Sequence, residues 1–246
     1  MADQPVYRYA GHLIPVPAAT AWEVGGVWSV AVPTREEFQQ AIDAQLGTGV
    51  VQLDTASYIR AIVHEAFHAY AMTAIHGDVP NFGADVDEGK MIQRLAALPD
   101  LDEQHAAEGR ALVKALQASD SLEVRAAAAE FLKLRRTRRA GQDKEIAAYE
   151  QSVEWLEGLA RYADISMMQP GARAGAGPGN PSAGKIRLDF HAALSYPASS
   201  ADGFRGHYYL PGVGQAFLLD RLLPDWKTRA LNEKLALEDL LQEALR

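Results

Sequence analysis

The sequence predicts an α+β fold, predominantly α, in a single domain spanning 1–246. Three observations carry that expectation. Residues 6–33 read as strands, with glycine punctuation at Gly25-Gly26. Apolar residues recur at helical spacing over most of 34–168. The chain is 48% hydrophobic and 23% charged, a globular balance with a core large enough to need no staples.

The N-terminal part, 1–53, reads as strands followed by one helix. Val6-Tyr7-Arg8-Tyr9 alternates, and Val27-Trp28-Ser29-Val30-Ala31-Val32 follows the break at Gly25-Gly26. Thr34-Arg35-Glu36-Glu37 is a capping box opening a helix to about Gln45. Gly47-Thr48-Gly49 ends it, and Val50-Val51-Gln52-Leu53 is a short strand candidate. Asp54 or Thr55 caps an apolar helix over 54–77, which closes near Gly77. The stretch 78–140 predicts two or three helices from about 86, broken at Pro99-Asp100 and Ser119-Asp120-Ser121. Asp143 caps a long helix over 143–168. Gly and Pro dominate 169–184, which predicts a mobile surface loop or a lid. The C-terminal part, 185–246, predicts helices at roughly 204–222 and 226–245, separated by Pro224.

Composition excludes several classes. There is no Cys, so disulfides and thiolate ligands are out, and a bound metal must be held by His, Asp or Glu. The net charge of −8 and a pI near 5.4 oppose a general nucleic-acid surface. The one basic run, Lys133-Leu134-Arg135-Arg136-Thr137-Arg138-Arg139, reads as a solvated helix end favoured by the helix dipole. No apolar run reaches the length of a membrane span. Met1-Ala2-Asp3-Gln4 shows no basic region followed by an apolar core, so no signal peptide is expected. A cytoplasmic protein and a secreted one with its leader removed both fit, and the oligomeric state is open.

Chemistry enters at His64-Glu65-Ala66-Phe67-His68, an HExxH pattern inside the apolar run Ile62 to Tyr70. Residues four apart share a helix face, so His64 and His68 can aim two imidazoles at one ion. Glu65 lies about 100° around the helix from His64, within reach of a water on that ion. Zinc takes neutral imidazole, keeps one position open in catalytic sites, and lowers the pKa of its water to about 7. Glu65 is then the candidate general base. The alternative is a hydrogen-bonded core cluster without metal.

A catalytic zinc needs a third protein ligand. Glu150, Glu154 and Glu157 lie on nearly one face of the 143–168 helix at spacings of four and three. They read as a solvated acidic stripe or, because Val153, Leu156, Leu159 and Ala160 flank them, as a stripe with at least one buried carboxylate.

Trp155-Leu156-Glu157-Gly158-Leu159-Ala160-Arg161-Tyr162, together with the HExxH helix, resembles the gluzincin metallopeptidases, whose second motif reads W-x-x-E-G-x-A-x-Y. Trp155 stands two positions ahead of the Glu where the family has three. The resemblance implies a zincin-like metallopeptidase fold: a small N-terminal β-sheet and one Zn2+ per chain on His64, His68 and Glu157. It also implies that 78–140 is a helical insertion between the ligand helices. Gly158 would let its helix approach a neighbour closely. Thermolysin-like members carry an Asp four after the ligand Glu as partner to a His. Here Arg161 stands there, and Asp164 is the candidate replacement. In this family a Tyr or His from a later helix stabilises the oxyanion. Tyr209, in Y-x-x-G form, fits best, with His207 and Tyr208 as competitors, unless these aromatics only pack a helix start.

The function so implied is zinc-dependent hydrolysis of a peptide or protein substrate, with Glu65 assisting attack by zinc-bound water. The alternatives are a hydrolase of a non-peptide amide or ester, and a non-catalytic zincin-like binding protein. Glu150 or Glu154 could grip a substrate amine, but no G-x-M-x-N signature is present, which favours an endopeptidase or an unspecialised cleft.

Overall fold

The computed structural model describes residues 6–9, 12–15, 19–83, 87–98, 100–167, 194 and 206–246. Strands β1 (Val6–Tyr9) and β2 (His12–Pro15) pair antiparallel, with Val6 opposite Pro15. Strands β3 (Thr20–Val24) and β4 (Val27–Ala31) form a second antiparallel hairpin, with Thr20 opposite Ala31. Its two-residue turn is Gly25-Gly26, at φ 58° and 81°. A turn with both central residues at positive φ matches the strand twist and favours glycine. Everything else regular among the described residues is helical, so the fold is α+β and predominantly α. No helix among them is long and apolar enough to cross a membrane.

Helix α1 (Arg35–Leu46) opens on the expected capping box: Thr34 Oγ1 accepts from Glu37 N–H while Glu37 accepts from Thr34 N–H at 2.9 Å. The segment 50–53 is not a strand. Gln39 on α1 takes its backbone instead, donating to Val51 O at 2.8 Å and accepting from Leu53 N–H at 2.6 Å. One side-chain amide thus occupies groups that a ladder would have used.

Asp54 caps α2 (Thr55–Ala74), accepting from Ser57 N–H at 2.6 Å. Gly77, at φ 73°, closes the C-terminus by donating to Met72 O at 2.8 Å. Helix α2 lies between the β3–β4 hairpin and the later helix α7 (Leu159–Met167). Three helices follow, α3 (Glu88–Ala96), α4 (Leu101–Gln117) and α5 (Ser121–Arg139), with breaks where Pro99-Asp100 and Ser119-Asp120 predict them. Asp143 then caps α6 (Lys144–Val153) by accepting from Glu145 N–H at 3.0 Å. That helix runs through a π turn (Glu154–Gly158) directly into α7. Helix α8 (Gly206–Leu222) crosses the π turn.

The predicted helix over 226–245 is two, α9 (Trp226–Asn232) and α10 (Leu237–Ala244). Lys234 sits between them in the left-handed region at φ 55°, where its ammonium pairs with Asp78. Composition carries no trace of that break, because a lysine there looks like any helix surface residue. The proposed mobile loop over 169–184 lies outside the described residues.

The basic run at the end of α5 is the largest correction. Arg135 and Arg138 are buried, not solvated. Arg135 grips Glu154 through both Nη atoms at 2.8 and 2.6 Å and donates Nε to Glu108 at 3.0 Å. Arg138 grips Glu150 at 2.6 and 3.0 Å and donates Nε to Glu108 at 2.6 Å. Arg139 joins Glu150 to Glu238 of α10. Burial alone would raise the pKa values of Glu150 and Glu108; the arginines beside them hold both below the ordinary carboxylate range. Basic and acidic stripes on separate helices neutralise each other inside the molecule.

The main core surrounds Trp155, Phe131, Leu112, Val213 and Leu218, with Trp155 Nε1 donating to Ala230 O at 2.9 Å. The crossing of α8 over the π turn is set by two glycines, as expected for Gly158. A Cβ on Gly212 would stand 2.6 Å from Glu154 O and 2.9 Å from Gly158 Cα. Gly212→Ala should therefore cost about 1–3 kcal/mol through overpacking. Gly141→Ala, where nothing lies within 4 Å of an added Cβ, should leave the thermal midpoint almost unchanged. Equal midpoints for the two variants would contradict a backbone-on-backbone crossing.

Candidate metal centre

His64 and His68 stand one turn apart on α2, their ring planes at 83°. Their Nε2 atoms are 3.1 Å apart. Glu157 Oε2 lies 3.2 Å from His64 Nε2 and 3.4 Å from His68 Nε2. Zinc binds His nitrogen and carboxylate oxygen at about 2.0–2.2 Å, so tetrahedral ligands sit about 3.3–3.5 Å apart. The three atoms fall within a few tenths of an ångström of such a triangle. All three groups can present lone pairs to one point, and none is more than lightly exposed. His68 Nδ1 is buried and makes no hydrogen bond among the described residues. The donor set, two imidazoles and a carboxylate, suits zinc.

The π turn explains why only Glu157 joins this triangle. On an α-helix, residues three apart lie nearly on one face. A π turn holds more residues, so each advances by a smaller angle, and residues three apart diverge further. Glu154 accordingly faces Arg135 and Gln215, while Glu157 faces α2. The expectation of one shared acidic face fails here. Glu150 and Glu154 are enclosed among arginines, so neither grips a substrate amine.

Behind His64 stands Asp164 of α7, fully buried, its Oδ2 3.6 Å from His64 Nδ1. Arg60 donates Nε to Asp164 Oδ1 at 2.8 Å, and Arg161 donates Nη1 to Oδ2 at 2.9 Å. A carboxylate on the far ring nitrogen fixes the orientation of a ligating imidazole and raises its basicity. Burial opposes a charged His64, but the Asp164 and Glu157 carboxylates outweigh it and push its pKa up to about 9. Arg60 and its role escaped the sequence reading. Its position four before His64 placed it on the ligand face of α2, and that signal was available.

Glu65 is half-buried. Burial raises its pKa, the two histidines lower it and Glu157 raises it, with a net upward shift. It lines two lobes of one cleft. The larger, about 890 Å3, is walled by Phe38, Ile42 and Leu53 and reaches Arg161. The smaller, about 560 Å3, holds His68, Glu157, Trp28, Leu156 and Tyr209. Tyr209 stacks beside His64 with ring planes at 16° and centroids 6.4 Å apart. Tyr208 turns the other way into a second core cluster, 5.4 Å from the His105 ring, so it is not brought to the centre. The His207 side chain lies outside the described residues.

No family model matches this sequence, and searches of curated proteins and of solved structures find no match either.

Two outcomes follow from the geometry. Glu157→Ala should abolish tight zinc binding while leaving the fold intact. Glu154→Ala should leave zinc affinity in the folded protein nearly unchanged but cost about 3–5 kcal/mol of stability by stranding Arg135. Zinc titration and thermal melts of both variants check this, and the reverse pattern would move the ligand one turn back. The second outcome concerns pH in chelator-treated protein. A His64 pKa raised from 6.5 to about 9 contributes stability that is full below pH 6.5 and lost as pH rises through about 9. Zinc must displace that proton, so zinc affinity measured by chelator competition should climb from pH 6.5 to 9. A flat profile over that range would show that His64 is not held protonated.

Proposed function

We propose that this chain is a zinc-dependent metallopeptidase of the gluzincin kind on a zincin-like fold, with one Zn2+ held by His64, His68 and Glu157. The observation that carries the reading is the triangle of Nε2, Nε2 and Oε2 atoms with edges of 3.1, 3.2 and 3.4 Å, beside an HExxH glutamate in a two-lobed cleft. The lobes meet at His64 and Glu65, leaving room for substrate on both sides of a scissile bond.

A zinc ion bound there would supply an acidified water and polarise the carbonyl. The chain's own residues do the rest. Glu65, half-desolvated and with a raised pKa, accepts the proton of the attacking water at its carboxylate. It then donates that proton to the leaving amine. Asp164, 3.6 Å from His64 Nδ1, would orient that ring, and the two arginines keep Asp164 in place. Tyr209, stacked beside the His64 ring, would donate its phenol to an oxyanion.

Glu65→Gln should keep zinc content and melting behaviour but lower turnover of a peptide library by about 10²–10⁴-fold. Wild-type turnover in that variant would refute Glu65 as base. Tyr209→Phe should lower turnover by about 10²–10³-fold with unchanged zinc content. An unaffected rate would leave Tyr209 with a packing role only.

A further inference from the structure

Arg60 and Arg161 converge on a single carboxylate, that of Asp164. Neither has another ion-pair partner among the described residues. Arg60 Nη2 is buried and makes no hydrogen bond among them. Glu65 and Glu157, the other carboxylates at the centre, answer the two charges of a divalent ion. With such an ion on His64, His68 and Glu157, one positive charge would be left over beside the reacting groups. It has a way out to substrate, because the Arg161 side chain is 37% exposed and lines the larger lobe. Phe38, Ala41, Ile42, Leu53 and Ala61 give that lobe an apolar wall, while Ser57, His64, Glu65 and Asp164 line its polar side with Arg161. A guanidinium carries five N–H donors in a planar fork, and Asp164 engages Arg161 through Nη1.

We infer that the larger lobe is a substrate subsite for an apolar residue accompanied by a carboxylate, and that Arg161 is the specificity-determining residue that pairs with that carboxylate. This rests on the peptidase reading of the adjoining centre. The apolar side chain fills the lobe against Phe38 and Ile42, and the carboxylate meets a cation that Asp164 only half neutralises. Two sources present this chemistry: the free C-terminus of the substrate, or an Asp or Glu side chain next to the apolar residue.

Binding separates them. The probes are N-acetyl-phenylalanine, its C-terminal amide, and N-acetyl-phenylalanyl-glutamic diamide, in which only the side chain is acidic. Affinities are measured by calorimetry on zinc-loaded Glu65→Gln protein and again on the chelated chain. At least one carboxylate probe should bind about tenfold or more tightly than the neutral amide, and which one does identifies the source. Arg161→Gln should remove that preference, and Arg161→Lys, which keeps charge but loses the fork, should reduce it. Carboxylate and amide binding within twofold in the Glu65→Gln protein overturns the inference. A preference that survives in Arg161→Gln assigns it to the metal and overturns the inference equally. Should Arg161→Gln not fold, an undiminished preference in Arg161→Lys has the same force. An Arg161-dependent preference in the chelated chain stands even where no hydrolysis occurs, so failure of the subsite and failure of the peptidase reading are distinguishable.

Discussion

Two carboxylates three residues apart, Glu154 and Glu157, are both buried and answer to different partners. Burying a carboxylate without a partner costs several kcal/mol. Each must therefore find its own cation or hydrogen-bond donor, and on a regular α-helix both would look the same way. The π turn over 154–158 separates them. Glu154 turns to Arg135 of α5, and Glu157 turns to the histidines of α2. The same turn contains Gly158, whose missing side chain lets Gly212 of α8 come close enough that an added Cβ would stand 2.7 Å from its Cα. That crossing brings Tyr209 alongside His64. Candidate metal ligand, structural anchor and candidate oxyanion donor all depend on five residues.

The buried ion network has a related consequence. Arg135, Arg138 and Arg139 of α5 bind Glu108 of α4, Glu150 of α6, Glu154 of the π turn and Glu238 of α10. Helices α4 and α5 are thereby tied to the segment that carries Glu157. Replacing such a network by apolar residues is often neutral or stabilising, whereas removing one partner is costly. Its value here lies in register: bidentate pairs accept one arrangement of Glu154 and Glu150, and Glu157 inherits its direction from that arrangement.

What was legible in the sequence follows from how local the signals are. The capping box at Thr34, the Asp54 and Asp143 caps and the helix breaks near 99 and 119 depend on neighbours a few residues away, and each appears where composition places it. The pairing of His64 with His68 is likewise set by helical spacing. Features made by distant partners were not legible. The basic end of α5 looks solvated until Glu108, Glu150 and Glu154, far away in sequence, are brought onto it. The segment 50–53 looks like a strand until Gln39 claims its backbone. Lys234 looks helical, yet it stands in the left-handed region with its ammonium on Asp78, more than 150 residues earlier. Asp164 lies between these cases: its seven-residue spacing from Glu157 suggested it, but its clamping by Arg60 and Arg161 needs the packing of α7 on α2.

The central claim is that three side chains from two helices hold one zinc with an open fourth position. X-ray absorption spectroscopy on the zinc-loaded protein reads that coordination directly. The account predicts four nitrogen or oxygen neighbours at about 2.0–2.2 Å, with outer-shell scattering from two imidazoles that falls to one imidazole in His68→Ala. A six-coordinate oxygen shell without imidazole scattering, or a spectrum unchanged by His68→Ala, would contradict it.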